Sequence, residues 1–568
     1  MTDTTGLSNG HPAKTRSATI SLPLIISSTV AVLLGALTIY NGPSVIAAPT
    51  DVFILVNGAW RLTLGQIPHV DFHNPIGVLT YSLVELGMAL EGPESLGLSW
   101  AGFLLLALAG PWASWAAYTR LDPWLACTFV MFVSLVCVAT RPLGYDPTNH
   151  SYAMLYNRVG WVFLSILVLH AFFARVAAKP HEETLDAAAL GVLLGLLFYT
   201  KITFALFGVA AVALALIARP LLRRPVALLA GGLGAALLIT VIWILTGAAP
   251  IAYVADVAAA ARVQSPELRG QQLVAAIKFA VVSLGPLTMG LLAVVGRRVL
   301  SERSLRPDIV WLTVQFGFLC AAGIAITAAN TGERGEVPLY VLAGMLLISG
   351  RRVITDDRFR RKILWSTTAM TALIALFISG RDVYSILHTS AMRSYRTDLA
   401  PASQRIDAPP LRDFVVPHVS VHRTQFWRAD NMPQKINEGL ALLRAHVGQD
   451  ARLIVFALSD LFSFPLRLEP PTGVPLWWDR NLSYDLKEYP PPEQVFADAT
   501  HLMIPQLSAD DGGCCSEVVT DLEQMYGRYL AAHFVEIART DTWVLLRKSA
   551  PMDPVRRQLS TAVGSRKD

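Results

Sequence analysis

Residues 51–77 read DVFILVNGAWRLTLGQIPHVDFHNPIG. They follow closely on an apolar run, residues 20–40, long enough to cross a bilayer, since a span needs about 20 residues. The stretch holds an acid at Asp51, a helix-like run over residues 52–64, a Gly-Gln-Ile-Pro turn and then the knot Asp71-Phe72-His73-Asn74-Pro75. Polar and ionisable groups are costly to hold beside a membrane span, so their crowding marks a functional site. The rest of the chain reads as a membrane scaffold and one soluble domain arranged around this loop.

Composition sets the class. The chain has 568 residues, 53% hydrophobic and 16% charged, with a mean hydropathy of +0.46. Soluble chains carry about 25% charged residues, so the deficit and the long apolar runs say polytopic membrane protein. The formal net charge of +5 sits mostly between apolar runs, as topology signals do. No basic stretch is interleaved with aromatics, so nucleic acid is not an expected partner. Of five cysteines, three lie in apolar runs, and Cys514 and Cys515 are adjacent, a spacing that strains a disulfide. No Cys/His spacing suits a metal.

The basic residues fix the topology. Lys14 and Arg16 put the tail, residues 1–19, in the cytoplasm and a first outer loop, residues 41–97, outside. The apolar stretch 76–90 decides the rest. If it spans, every later basic loop falls outside; if it lies in the interface, Arg120, Arg175, Arg219, Arg297 and residues 351–362 all fall inside. It runs about 15 residues and contains Glu85, so the interfacial reading is preferred. About eleven transmembrane helices are then expected over residues 20–380, two of them meeting at Lys201. Gly231-Gly232-Leu233-Gly234 gives one a small-residue packing face. After residue 380 proline, charge and aromatics rise. A linker is expected over 381–432, a soluble α/β domain over 433–550 on the outer side, and a disordered tail over 551–568.

Several residues could carry chemistry. Asp51 could cap a helix or act as a base. Asp71, His73 and Asn74 could form a turn, yet a turn explains Asn74-Pro75 better than the whole group. A second polar knot, RPLGYDPTNHSYAMLYN over residues 141–157, places Asp146, His150 and Asn157 on the same side. Two acids on two outer loops could divide a base role and a metal or substrate role. Lys201 reads as an interfacial lysine or as a cation for phosphate, with Arg334 comparable. Arg262 and Arg269, within the outer stretch 249–272, read as part of a solvated loop. Trp477, Trp478 and Asp479 could stack on sugar, although domain packing explains them too. No glycine-rich phosphate loop is present.

Together, Gly58-Ala59-Trp60-Arg61-Leu62, Gly65-Gln66-Ile67-Pro68 and Asp71-Phe72-His73-Asn74-Pro75-Ile76-Gly77 resemble the first-loop signature of the GT-C class of integral membrane glycosyltransferases. They are similar to the group of bacterial protein mannosyltransferases and the lipid A aminoarabinose transferase. The resemblance covers residues 20–380. It implies a GT-C-like fold, a polyprenyl-phosphate sugar donor, a glycan, lipid or protein acceptor, and an inverting transfer. By the same resemblance Asp51 is the base, Asp146 the second-loop acid and Lys201 a neighbour of the lipid phosphate. Arg61, Asp71, His73, Asn74, His150, Asn157 and Arg334 are the further substrate-binding candidates. Many relatives have two consecutive acids in the first loop, whereas here Val52 follows Asp51. No cofactor is assigned, and a divalent cation is left open with no ligands assigned. The expected location is a multi-pass inner (cell) membrane, with active site and C-terminal domain extracytoplasmic and membrane lipids as neighbours. The alternative is a non-catalytic transporter or scaffold that presents the C-terminal domain.

Overall fold

The structure, a computed structural model, describes residues 22–45, 47–175, 179–302, 307–330, 336–349, 357–399, 405–411, 414, 416, 432–507 and 514–549. Arg334, residues 1–19 and 551–568, and much of 381–432 lie outside the described residues.

The membrane part is helical. Its elements are α1 (Leu22–Asn41), α2 (Pro49–Thr63), the short strand β1 (Phe72–His73), α3 (Leu79–Glu91), α4 (Gly97–Arg120), α5 (Pro123–Val138), α6 (Leu155–Phe172) and α7 (Pro180–Thr200). There follow α8 (Ile202–Ala218), α9 (Pro225–Thr246), α10 (Pro250–Val263), α11 (Pro266–Glu302), α12 (Pro307–Ala328), α13 (Pro338–Ser349) and α14 (Asp357–Leu399). Eight of these begin on a proline. Proline suits a first helical turn, where its missing N–H would be unpaired, so it marks where each apolar run starts.

Among the described residues eight helices, α1, α4, α6, α7, α9, α11, α12 and α14, are long and apolar enough to cross a membrane. Of the expected eleven spans the others correspond to α5, α8 and α13, which are apolar but shorter. Helix α6 is buried nearly throughout and forms the centre. Helix α3 has 13 residues, about 20 Å, against a hydrocarbon core of about 30 Å. Helices α7 and α9 touch through glycine: a Cβ on Gly191 would lie 1.9 Å from the carbonyl oxygen of Gly231. Close backbone approach of this kind replaces the hydrophobic drive that lipid removes. Of the glycine face read from sequence, Gly231 and Gly234 make the contact and Gly232 points into open space.

Helix α14 runs past residue 380 to Leu399, so the first part of the expected linker continues the last apolar helix. The stretch 249–272, expected as a solvated loop, forms α10 and the start of α11.

The C-terminal domain contains α15 (Met432–His446), β2 (Leu453–Val455), α16 (Ser463–Leu466), β3 (Val474–Pro475), α17 (Pro492–Val495), β4 (His501–Pro505), α18 (Cys514–His533), β5 (Phe534–Arg539) and β6 (Trp543–Lys548). Its sheet has the order β2-β4-β6-β5, with β2 and β4 parallel and the other pairs antiparallel. Ile436, Leu440 and Leu443 of α15 are fully buried, at the spacing of one face of a helix.

The joints between helices gather at two ends. At one, the Ala47 N–H donates to the His150 carbonyl (3.2 Å), the Gly77 N–H to that of Thr200 (3.1 Å), and the Tyr199 hydroxyl to that of Ala248 (2.8 Å). At the other, Arg120, Arg175 (2.8 Å) and Arg219 (3.0 Å) surround the buried Asp186.

Candidate active site

The first loop and the C-terminal domain form one body. Strand β1 pairs in parallel with β3, Phe72 opposite Val474 and His73 opposite Pro475. Around this seam, Trp60 Nε1 donates to the Leu468 carbonyl (2.8 Å), Gln66 Nε2 to that of Pro470 (2.7 Å), and Ser459 Oγ to that of Thr50 (2.7 Å). Asn57 donates to the carbonyl of Asp460. Arg61 is buried here, giving hydrogen bonds to Gln66 Oε1 (2.7 Å) and to the Pro471 carbonyl (2.8 Å). A buried guanidinium needs such acceptors, so the site candidate Arg61 ties α2 to the domain. Asp71 also serves the seam. Its carboxylate accepts from the Ile67 N–H (2.6 Å), closing the turn, and its carbonyl accepts from the Gly473 N–H (2.7 Å).

Gly77, at the end of the first-loop motif, sits against the end of α7. A Cβ there would lie 2.1 Å from the Tyr199 carbonyl oxygen, so only glycine fits. This contact places the loop beside Lys201, the single residue between α7 and α8. Lys201 Nζ donates to Asn330 Oδ1 and lies 5.1 Å from the centre of the Tyr156 ring.

Lys201 opens onto a cavity of about 630 Å³. Its polar lining is Asn157, Lys201, Arg269, Gln264, Gln272 and Asn330. Asn157 is 1% exposed, and neither its Oδ1 nor its Nδ2 has a hydrogen-bond partner. Its apolar lining comes from α8, α10, α11 and α12, and Leu206 and Leu273 among it are also exposed on the outer surface of the helices. An unpaired buried amide beside two cations is a place for an anionic, hydrogen-bonding group. The exposed leucines leave room for an apolar tail to run out between helices.

A second cavity, of about 320 Å³, lies between the first loop, α10 and the C-terminal domain. Pro75, Ala260 and Leu482 line both, so the two are neighbours. Its organising group is Asp256 of α10. The carboxylate accepts from His69 Nδ1 (2.9 Å), His73 Nδ1 (3.0 Å) and the Asn74 N–H (3.0 Å). Burial works to raise the Asp256 pKa, but the hydrogen bonds from His69 and His73 outweigh it and hold the carboxyl below the usual range. An ionised carboxylate only accepts, so Nδ1 of His73 carries the proton and Nε2 is left for the cavity.

Asp51 lies in the first turn of α2, not at its cap: the helix starts two residues earlier, at Pro49, after Ala48. Within residues 49–61 every side chain is buried except that of Asp51, which is half-buried. Across from it stands Asp479. Trp478 donates to the Leu458 carbonyl (2.8 Å), and Ser459 bonds to Thr50, which brings the segment carrying Asp479 beside the start of α2. Asp479 opens the turn to Tyr484, whose Leu482 lines both cavities. Burial, and then the like charge of Asp479, push the Asp51 carboxyl up to about 7; burial pushes Asp479 up to about 6.

The structure therefore brings His73, Asn74, Asn157 and Lys201 to the two neighbouring cavities, whereas Asp51 faces Asp479 and lines neither. Asp146 and His150 line neither. Asp146 is exposed and accepts from the Thr148 N–H (2.9 Å) and hydroxyl (2.6 Å), a turn in which those bonds lower its pKa. His150 is buried against α14, its Nε2 3.0 Å from His388 Nδ1. Sequence reasoning missed Asp256, His69 and Asn330, and set Asp479 second to packing. A signal for Asp256 existed: Tyr253, Asp256, Ala260 and Val263 fall on one face of a helix of period 3.6.

No family model matches the chain, and no curated protein matches it. Among solved structures it is similar to the crystal structure of ArnT from Cupriavidus metallidurans bound to undecaprenyl phosphate. The TM-score is 0.48 and the identity 11%, over 93% of this chain and 98% of that one. The apo state of the same ArnT gives a TM-score of 0.45 and 12% identity, over 92% and 97%. At this level of likeness, function is left to be argued from the site itself.

Proposed function

We propose that this chain is an integral membrane glycosyltransferase of the GT-C class. It takes a sugar from a polyprenyl phosphate and transfers it to an acceptor hydroxyl at the membrane face where the first loop and the C-terminal domain meet. The observation that carries the reading is the cavity at Lys201, with its mixed polar and apolar lining. It joins cations and an unpaired buried amide to an apolar wall open between helices, which is the shape of a phosphate on a hydrocarbon chain. The first-loop resemblance points the same way.

Asp51 takes the acceptor proton. A base works best with a pKa near the operating pH, and that of Asp51 is raised to about 7. The acceptor oxygen then forms a bond to the anomeric carbon as the bond from that carbon to the phosphate oxygen breaks, with inversion. The electron pair leaves with the polyprenyl phosphate, whose charge grows by one. Lys201 and Arg269 stand where that charge develops. The arginines gathered around Asp186 at the opposite end fit a cytoplasmic side, which supports an extracytoplasmic position for this face in an inner (cell) membrane.

The test is transfer from a panel of radiolabelled polyprenyl-phosphate sugars by wild type, Asp51→Asn and Lys201→Ala at equal protein levels. Transfer by wild type that is lost in both variants supports the reading. Equal transfer in all three removes both residues from the mechanism. Absence of transfer from every donor, with no polyprenyl phosphate co-purifying, overturns the assignment.

A further inference from the structure

We infer that the cavity between the first loop, α10 and the C-terminal domain is the acceptor site, and that it takes the neutral, hydroxyl-rich end of a glycan. The word acceptor rests on the transferase reading; recognition of a sugar follows from the walls.

Size comes first. At about 320 Å³ the cavity stands at the lower end of small-ligand sites, roughly 300–1,000 Å³, which suits a group of monosaccharide size. Charge comes second. The cation on its walls, Arg262, is paired with Glu488 at 2.6 Å, and Asp256 adds a negative charge. A phosphate or carboxylate would meet no surplus cation here, in contrast to the neighbouring cavity at Lys201.

Hydrogen-bonding capacity comes third, and it is of both kinds. Asn74 is 4% exposed, lines the cavity, and its Nδ2 has no partner, while its Oδ1 is taken by the Ile76 N–H and the Tyr81 hydroxyl. A buried amide N–H of this kind calls for an acceptor. His73 offers the lone pair of Nε2, with its side chain one-third exposed and its ring held by Asp256. An acceptor and a donor side by side match a hydroxyl, which is both. Tyr489 supplies the apolar surface. Its ring is 38% exposed and is held edge-on to Tyr526 at 5.7 Å. A sugar ring has a C–H face for such a surface and hydroxyls around its edge. The shared walls at Pro75, Ala260 and Leu482 set a bound ring next to the donor cavity.

The experiment is saturation-transfer NMR on the full-length protein in detergent. The probes are methyl glycosides of glucose, mannose, galactose and arabinose, with glucose 6-phosphate alongside. At least one neutral glycoside should give a signal. Tyr489→Ala should cut it about fivefold, the scale of one aromatic contact, and Lys201→Ala should leave it unchanged. Gln494→Ala, at another exposed wall position, serves as second variant and should weaken the same signal. No neutral glycoside signal, a stronger signal from glucose 6-phosphate, or signals indifferent to both wall variants would overturn the inference. Binding that depends on Tyr489 without any sugar transfer would sink the transferase reading and leave a carbohydrate site. Transfer with an acceptor KM that Tyr489→Ala leaves unchanged would do the reverse.

Discussion

Replacing Asp479 with asparagine should move the acid limb of the pH–rate profile to lower pH. Asp51 sits about three pH units above an ordinary aspartate near 3.9, with burial the larger cause and the Asp479 charge the second. The share due to Asp479 is therefore less than half, and its removal lowers the midpoint by at most about 1.5 pH units, from about 7 toward about 5.5. At pH 6 a base with a pKa near 7 is about one-tenth ionised and one near 5.5 about three-quarters, so kcat/KM there should rise by up to about eightfold. At pH 8.5 both forms are ionised and the rates should agree. Asp479→Glu keeps the charge and should keep the limb. The assay is kcat/KM for sugar transfer between pH 5 and 9 in one detergent at constant ionic strength. An acid limb that stays in place, or moves up, would refute either the pairing of the two carboxyls or the role of Asp51.

Three further outcomes follow from the same geometry. Lys201→Ala should lower kcat by about 10²-fold with the protein folded, the usual loss for one group facing developing charge, and Lys201→Arg should restore part of it; single-turnover kinetics checks this. Asp51→Asn should stabilise the protein at pH 8 by roughly 1–2 kcal/mol after allowance for the part-open position of the side chain. The sign follows from a folded pKa above the unfolded one: wild-type stability from this group is full below about pH 4 and is lost as pH rises through about 7, so the gap in Tm should close toward pH 4. Gly77→Ala puts a methyl 2.1 Å from the Tyr199 carbonyl oxygen, should cost about 1–3 kcal/mol of stability, and should raise the donor KM by shifting Lys201; thermal unfolding and kinetics together test it.

Much of this was legible in sequence for physical reasons. Apolar runs of spanning length, with basic residues between them, gave the membrane helices, and alternating helix and strand runs gave the C-terminal domain. The crowded first loop and Lys201 stood out because polar groups at a membrane face need a reason to be there. What was hidden depended on partners far along the chain. Helix α14 was expected to end near residue 380 because charges begin at Arg381 and Asp382. Both are paired, Arg381 with Glu336 (3.0 Å) and Asp382 with Arg141 (2.8 Å), so the helix continues. Strands of two residues, such as β1 and β3, have no periodicity to read. Asp256 was lost in an alanine-rich stretch too short to span, and the fate of Arg61 turned on carbonyls some 400 residues away.

The pairing of β1 with β3 also has a consequence in time. Phe72 leaves the ribosome about 400 residues before Val474. At roughly 5–20 residues per second, the first loop waits about 20–80 s for its partner. Until then α2 lacks part of the surface that buries it, and the second cavity lacks the wall that carries Tyr489. The second cavity is therefore completed only by the last part of the chain: a protein cut short before β3 would insert its helices and leave that cavity without its outer wall.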